Sequence, residues 1–387
     1  MQDYIYLDYA AATPMDSQVI DAMTPFFNHK FFNPSATYGP AKFVKNDLNN
    51  ARKQIASWLG AKSEEIIFTA GGTESNNLAI NGVMSLHKTK NIIISSVEHD
   101  SVLYPAKKYV HKVAPVDDKG VIILDKLLSL VDNNTTLISV MYANNEIGSI
   151  QPIKDIALGI NSIKKQRLLS NNLTPLLLHV DASQAVNYLD IHHARLGIDL
   201  MTLNGGKIYG PKQSGILFVK SGVSLEPSIL GGGQEKNLRS GTENVAASIG
   251  LAKALDIAQS SRKEEHNRLA DLQKHFFKSI AAKIPSVTIN GSIKSRLPNN
   301  LHITIPGADN ERLLSQLDDR NIYCAAGSAC SASSVEPSHV LKAMGIGDDL
   351  ARSSLRLSMG RQTTKKDIDD TINALDEIVN KKVQYEG

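Results

Sequence analysis

Apolar residues along this chain come in short unbroken runs rather than in strict alternation with polar ones. Such runs occupy residues 65–69, 91–95, 137–142, 176–180, 199–203 and 215–219, bounded by turn-forming or charged residues. Runs of this length suit strands buried on both faces, as in a parallel sheet. Between them the spacing becomes helical, predicting helices over 17–27, 41–59, 73–84, 101–110, 124–131 and 153–169. Gly60 supplies a stop signal for the second of these. Strand and helix in alternation predict an α/β fold, a mostly parallel sheet covered by helices.

Residues 243–284 read as one long helix, entered through Arg239-Ser240-Gly241-Thr242. From Ser286 the pattern changes to short strands and helices, with a final helix from about Lys365 to Val379. At 387 residues the chain exceeds one simple core. The change of pattern divides it into a large domain over 15–255 and a smaller domain from 1–14 and 256–387.

Composition narrows the function classes. The chain is 42% hydrophobic and 21% charged, which excludes a disordered chain, and its formal net charge of +3 gives no nucleic-acid surface. Two cysteines, Cys324 and Cys330, make no disulfide framework and point to a reducing, cytoplasmic compartment. The start carries no signal-peptide pattern, and no apolar run reaches the length of a membrane span. No metal cluster is assigned.

The chemistry-bearing residues sit where the predicted strands end. In open α/β sheets, ligands bind beyond the carboxyl ends of the strands. One run ends at Asp181, and another leads into the Gly-flanked Lys207. An amine that bonds an aldehyde, opposite an acid that keeps a ring nitrogen protonated, is what pyridoxal phosphate requires. Asp181 alternatively caps the next helix. Gln184, one short turn on, is in reach of a ring oxygen. Gly71-Gly72-Thr73 after a strand makes a phosphate cup at a helix N-terminus, or an ordinary capped helix start. His99 follows another strand and suits stacking on a flat ligand and moving a proton, or a structural contact; Asn145, also after a strand, suits a ring oxygen or a substrate carboxylate. Cys330 lies among small residues, as an exposed thiol would, whereas Cys324 reads as a small buried hydrophobe. Arg356, in a strand-like alternation, suits a carboxylate clamp or a surface ion pair.

The order and wording of these motifs go further. YLDYAAATP, GGTESNN, VEHDSV, ANNEIG, HVDASQ, GGKIYGPK, RSGTEN, GSACSASSVEPSHVL and SLRLSMGR together resemble the cysteine desulfurases, fold-type-I pyridoxal-phosphate enzymes of class-V aminotransferase type. The likeness runs from about Tyr6 to Arg361 and is closest to the housekeeping and nitrogen-fixation branch, whose cysteine sits in a long GSAC…EPS loop. It implies a seven-stranded, mostly parallel sheet flanked by helices, plus a smaller α+β domain carrying the catalytic cysteine. It further implies Lys207 bonded to the cofactor and acting as base, Asp181 on the pyridine nitrogen, Gln184 at the ring oxygen and His99 stacked on the ring. Gly72, Thr73 and Asn204 would hold the phosphate, and Thr242 would reach the phosphate site across a homodimer. Asn145 and Arg356, with Asn33 nearby, would hold the substrate carboxylate. Cys330 would take sulfur from L-cysteine as a persulfide, releasing L-alanine. The implied acceptors are an iron–sulfur scaffold protein or a tRNA-thiolation sulfur carrier. A selenocysteine lyase, an aminotransferase or a silent sulfur-transfer binding module are the alternatives.

The chain departs from that pattern in places. The family's Ser-x-His-Lys is here Asn204-Gly205-Gly206-Lys207. Asn204 takes the serine's place, but Gly206 has no side chain to offer. A hydrogen bond to a charged group contributes roughly 1.5–3 kcal/mol, so weaker phosphate retention is expected. Residues 160–174 are longer than usual and read as an extended helix and surface loop. The sequence stops soon after its last helix, without the tail some relatives use to dock a scaffold protein.

Overall fold

The computed structural model describes residues 4–327 and 337–385. Its strands are β1 Ile5–Tyr6, β2 Ile66–Thr69, β3 Asn91–Ser95, β4 Val110–Ala114, β5 Thr135–Ser139, β6 Leu177–Asp181, β7 Leu200–Asn204, β8 Gly215–Val219, β9 Thr288–Ile289, β10 Asn300–Thr304, β11 Ile322–Tyr323 and β12 Ser354–Ser358. Seven of them form one sheet in the order β2-β8-β7-β6-β5-β3-β4. Within that sheet β8 runs antiparallel to both β2 and β7, while β7, β6, β5, β3 and β4 are parallel. The carboxyl ends of β2, β7, β6, β5 and β3 therefore share one edge. Every residue of β3, β5 and β8 is buried, because helices cover both faces.

Helices follow the strands as the spacing predicts: α3 Gly39–Leu59, α4 Gly72–Leu86, α5 Asp100–Ala106, α6 Leu124–Ser129 and α7 Ile153–Leu169, after α1 Ser17–Met23 and α2 Pro25–Asn28. Gly60 ends α3 for two reasons. Its φ is +65°, and a Cβ there would lie 2.0 Å from the His192 ring.

Two predicted helices are corrected. The segment 17–27 is split at Thr24, since Pro25 opens a new helix rather than continuing α1. The segment 101–110 ends as α5 at Ala106, and Val110 opens β4, the seventh strand, which the apolar runs do not reveal. β4 lies at the sheet edge, with Val110, His111 and Val113 exposed. Its Lys112 reaches the Leu130 carbonyl and the Asp132 carboxylate, each at 2.7 Å. A lysine on a short edge strand also discourages edge-to-edge pairing.

A second core surrounds the three-stranded antiparallel sheet β12-β10-β9. Leu301, Ile303, Leu355 and Leu357 fill it together with Phe276, Ile372 and Leu375. The 39-residue helix α8, Val245–Lys283, joins the two cores. Its first half packs Leu251, Leu255 and Ala258 into the main core, and its second half packs Leu269, Phe276 and Ile280 into the other. At 1.5 Å per residue it spans roughly 58 Å. β1 pairs with β11, then carries the chain from the smaller core toward the shared sheet edge. Among the described residues no helix is long and apolar enough to cross a membrane.

Candidate active site

At the shared edge of the strands lies an open cleft. Gly72, Thr73, His99, Asn145, Asp181, Gln184, Asn204, Lys207 and Arg356 all line it. The structure thus brings together nine residues singled out from the sequence. Asn33 does not join them; it is exposed, and its side chain accepts from the Ser35 amide in a local turn. Thr242 is also exposed and lies on a separate pocket with Arg239 and Gln213. Cys330 lies outside the described residues.

Asp181 ends β6 with its side chain fixed from two directions. Its Oδ1 accepts from the Ser183 amide at 2.9 Å, and its Oδ2 accepts from Asn76 Nδ2 at 2.7 Å. The alternative, a cap on a following helix, is not realised: turns follow Asp181, and the next helix starts only at His193. Lys207 sits in the single 3₁₀ turn Gly205–Lys207 immediately after β7. Its Nζ donates to the carbonyls of Ala10 and Ala11, at 2.9 and 2.5 Å. Gln184 Nε2 donates to the same Ala10 carbonyl at 3.0 Å. The N-terminal arm thereby holds the amine and the amide side by side.

His99 caps α5. Its Nδ1 accepts from the Ser101 amide at 3.0 Å and lies 2.8 Å from Ser101 Oγ. Ser101 Oγ in turn accepts from Asn76 Nδ2 at 2.8 Å. One buried asparagine therefore ties Asp181 to the His99 cap. Beneath this layer Glu98 is fully buried, and burial pushes its carboxyl well above the usual range.

The donor set suits a phosphate-bearing ring. A Cβ built on Gly72 would lie 3.2 Å from both Asn204 Nδ2 and Ser183 Oγ, so those groups converge at the first turn of α4. Asn204 Oδ1 accepts from the Gly206 amide at 3.0 Å, which turns its Nδ2 toward that cup. The free amides of a helix start add to the cradle. Arg356, on β12, is buried and pairs with Asp8 at 2.7 Å, while its Nε has no partner among the described atoms.

Sequence reasoning missed Asn76, Ser101 and Ser183, all on the cleft wall. Asn76 lies four positions after Gly72 and so on the same helical face, a spacing that would have exposed it.

A seven-stranded α/β sheet with a lysine and an acid at its ligand edge defines the fold-type-I class of transferases. The family model described as "Aminotransferase class-V" matches residues 5–371. A protein named cysteine desulfurase IscS, from Dictyoglomus turgidum, is 41% identical over 389 residues, covering 98% of this chain and 96% of its own. The solved NifS-like protein of Rickettsia africae superposes with a TM-score of 0.86 at 33% identity, over 97% of this chain and 99% of that one. A structure titled "SspA in complex with cysteine" gives a TM-score of 0.79 at 33% identity, over 92% and 98%. The chain belongs to the class-V aminotransferase family, among its cysteine desulfurases.

Proposed function

We propose that this protein removes sulfur from L-cysteine, giving L-alanine and a persulfide on Cys330. The observation that carries the reading is the convergence of Lys207, Asp181, His99, Gln184 and Arg356 on one cleft. Bound pyridoxal phosphate would supply an aldehyde for the substrate amine and a ring that accepts charge from the α-carbon. Lys207 would hold the cofactor, and its Nζ would move the α-proton. Asp181, fixed by Asn76 and Ser183, would keep the ring nitrogen protonated. His99 would cover the ring and Gln184 would meet its oxygen. Gly72, Thr73 and Asn204 would hold the phosphate, and Arg356 with Asn145 would receive the substrate carboxylate.

The thiolate of Cys330 attacks the substrate sulfur. An S–S bond forms as the Cβ–S bond breaks; the electron pair stays on Cβ, which takes a proton as alanine forms. Atoms and electrons balance without an outside oxidant or reductant.

This reading makes the protein a homodimer in a cytoplasmic compartment. Phe27, Phe31, Tyr38 and Phe43 are each more than half exposed, an aromatic surface suited to a second copy, and the exposed Thr242 is the residue assigned to the partner's phosphate site. The division into domains over 15–255 and over 1–14 with 256–387 is supported by the main core ending at Ala258. The persulfide then passes to an iron–sulfur scaffold or a sulfur carrier.

Mixing the purified protein with L-cysteine tests the reading. Alanine should appear together with one added sulfur on Cys330 by mass, and Cys330→Ser should abolish sulfur release. A visible absorption band should vanish in Lys207→Ala. Unchanged sulfur release from the serine variant refutes the assignment.

A further inference from the structure

We propose that Glu146 is a positioning residue that pins Ser338, and through it the segment carrying Cys330. The inference rests on the role given above to that cysteine, but its observations lie elsewhere in the chain.

Glu146 is buried in the turn that follows β5. Asn144 Oδ1 accepts from the amides of Glu146 and Ile147, at 2.8 and 3.0 Å. Asn300 Nδ2 donates to the Glu146 carbonyl at 2.6 Å. The backbone is therefore fixed, and only the carboxylate is left to make contacts. Among the described residues it meets a hydroxyl rather than a cation: Ser338 Oγ donates to its Oε2 at 2.5 Å. A buried carboxylate is costly without a strong donor, and Ser338 supplies one.

Ser338 lies on the carboxyl side of the Cys330 segment. It caps the helix His339–Ala343, its Oγ accepting from the Val340 and Leu341 amides. On the outgoing side, a Cβ built on Gly327 would lie 3.6 Å from the same Oε2. Just before it, Ala325 exchanges two backbone hydrogen bonds with Arg356, at 2.7 and 3.1 Å. One carboxylate oxygen thus accepts from Ser338 and lies beside Gly327.

The same turn reaches the substrate end of the cleft. Asn145 lines the cleft, and its carbonyl accepts from Arg356 Nη1 at 3.4 Å. The spacing between the carboxylate-binding arginine and the anchor of the Cys330 segment is therefore set by one rigid turn. Releasing the anchor should slow sulfur transfer while leaving cysteine binding intact.

The test compares wild-type holoenzyme with Glu146→Ala, Glu146→Gln and Ser338→Gly, the last keeping a tolerated N-cap residue. Rapid mixing with L-cysteine follows binding by the cofactor absorbance and persulfide on Cys330 by quenched mass analysis. Glu146→Ala and Ser338→Gly should each slow persulfide formation about tenfold, the loss of one charge-assisted hydrogen bond. Apparent affinity for cysteine should stay within about twofold. Glu146→Gln, which still accepts from Ser338, should recover most of the rate, and the double variant should be no slower than either single. In parallel, iodoacetamide labelling of Cys330 without cysteine should change at least about threefold in Glu146→Ala, a readout independent of the chemistry. Wild-type rates of both persulfide formation and labelling in Glu146→Ala overturn the proposal, as does an equal loss of cysteine binding. If wild type forms no persulfide while labelling still responds to Glu146→Ala, the catalytic reading falls and the anchor stands.

Discussion

Asn76 Nδ2 lies 2.7 Å from Asp181 Oδ2 and 2.8 Å from Ser101 Oγ, so one amide joins the acid of the cleft to the cap that carries His99. In Asn76→Ala, Asp181 keeps only the Ser183 amide. Losing a hydrogen bond to a charged group costs roughly 1.5–3 kcal/mol. Cofactor retention should fall about tenfold, read as the fraction of protein losing its visible band on dialysis. Retention equal to wild type would show that Ser183 alone orients the acid.

Gly206 has room for a side chain. A Cβ there would meet Asn204 Oδ1 and Lys212 Cδ at 3.5 Å, ordinary contact distances, and its φ is not among the positive ones. Gly206→His should therefore fold as well as the parent and add a donor toward the cup at α4. The expected result is slower release of cofactor, about tenfold for one added charged hydrogen bond. Dialysis that strips both proteins equally would count against a weakened phosphate site.

The buried runs of β3, β5, β6, β7 and β8 were readable because strands covered on both faces, the antiparallel β8 included, carry no polar alternation. β4 was not, since an edge strand mixes Val110 and Val113 with His111 and Lys112, and nothing in that mixture separates it from the end of α5. Lys207 and Asp181 were legible from their places at strand ends. Asn76, Ser101 and Ser183 were passed over because their roles depend on three separate segments meeting at one edge. The carbonyls of Ala10 and Ala11 that hold Lys207 carry no side-chain signal at all.

Arg356 is the largest fully buried side chain among the described residues, and Asp8 is its paired carboxylate. Removing one partner of a buried ion pair leaves an uncompensated charge, which costs about 3–5 kcal/mol. Asp8 is itself 20% exposed, so the low end of that range applies. Asp8→Ala should thus lose about 3 kcal/mol in urea unfolding. Asp8→Asn, which retains an oxygen acceptor, should lose less. A wild-type denaturation midpoint for Asp8→Ala would refute the pairing.

Stability should fall on acidification through two buried histidines. Burial lowers His302 to about 3 and His179 to about 4, from an ordinary 6.5. Both folded values are depressed, so the unfolded chain takes up protons below about 6.5 that the folded chain refuses. Their contribution is complete above that pH and is lost as pH falls toward 4, by up to about 1.4 kcal/mol per unit for each histidine. Glu98 acts with the opposite sign. Burial raises its value well above 4.5, so its contribution is present below 4.5 and declines as pH rises above that. Urea midpoints at pH 5, 6 and 8 separate the two effects. His302→Gln should flatten the acid side alone, and Glu98→Gln should gain relative to wild type from pH 5 to 8. An acid slope unchanged in His302→Gln would mean that this histidine is charged in the folded protein.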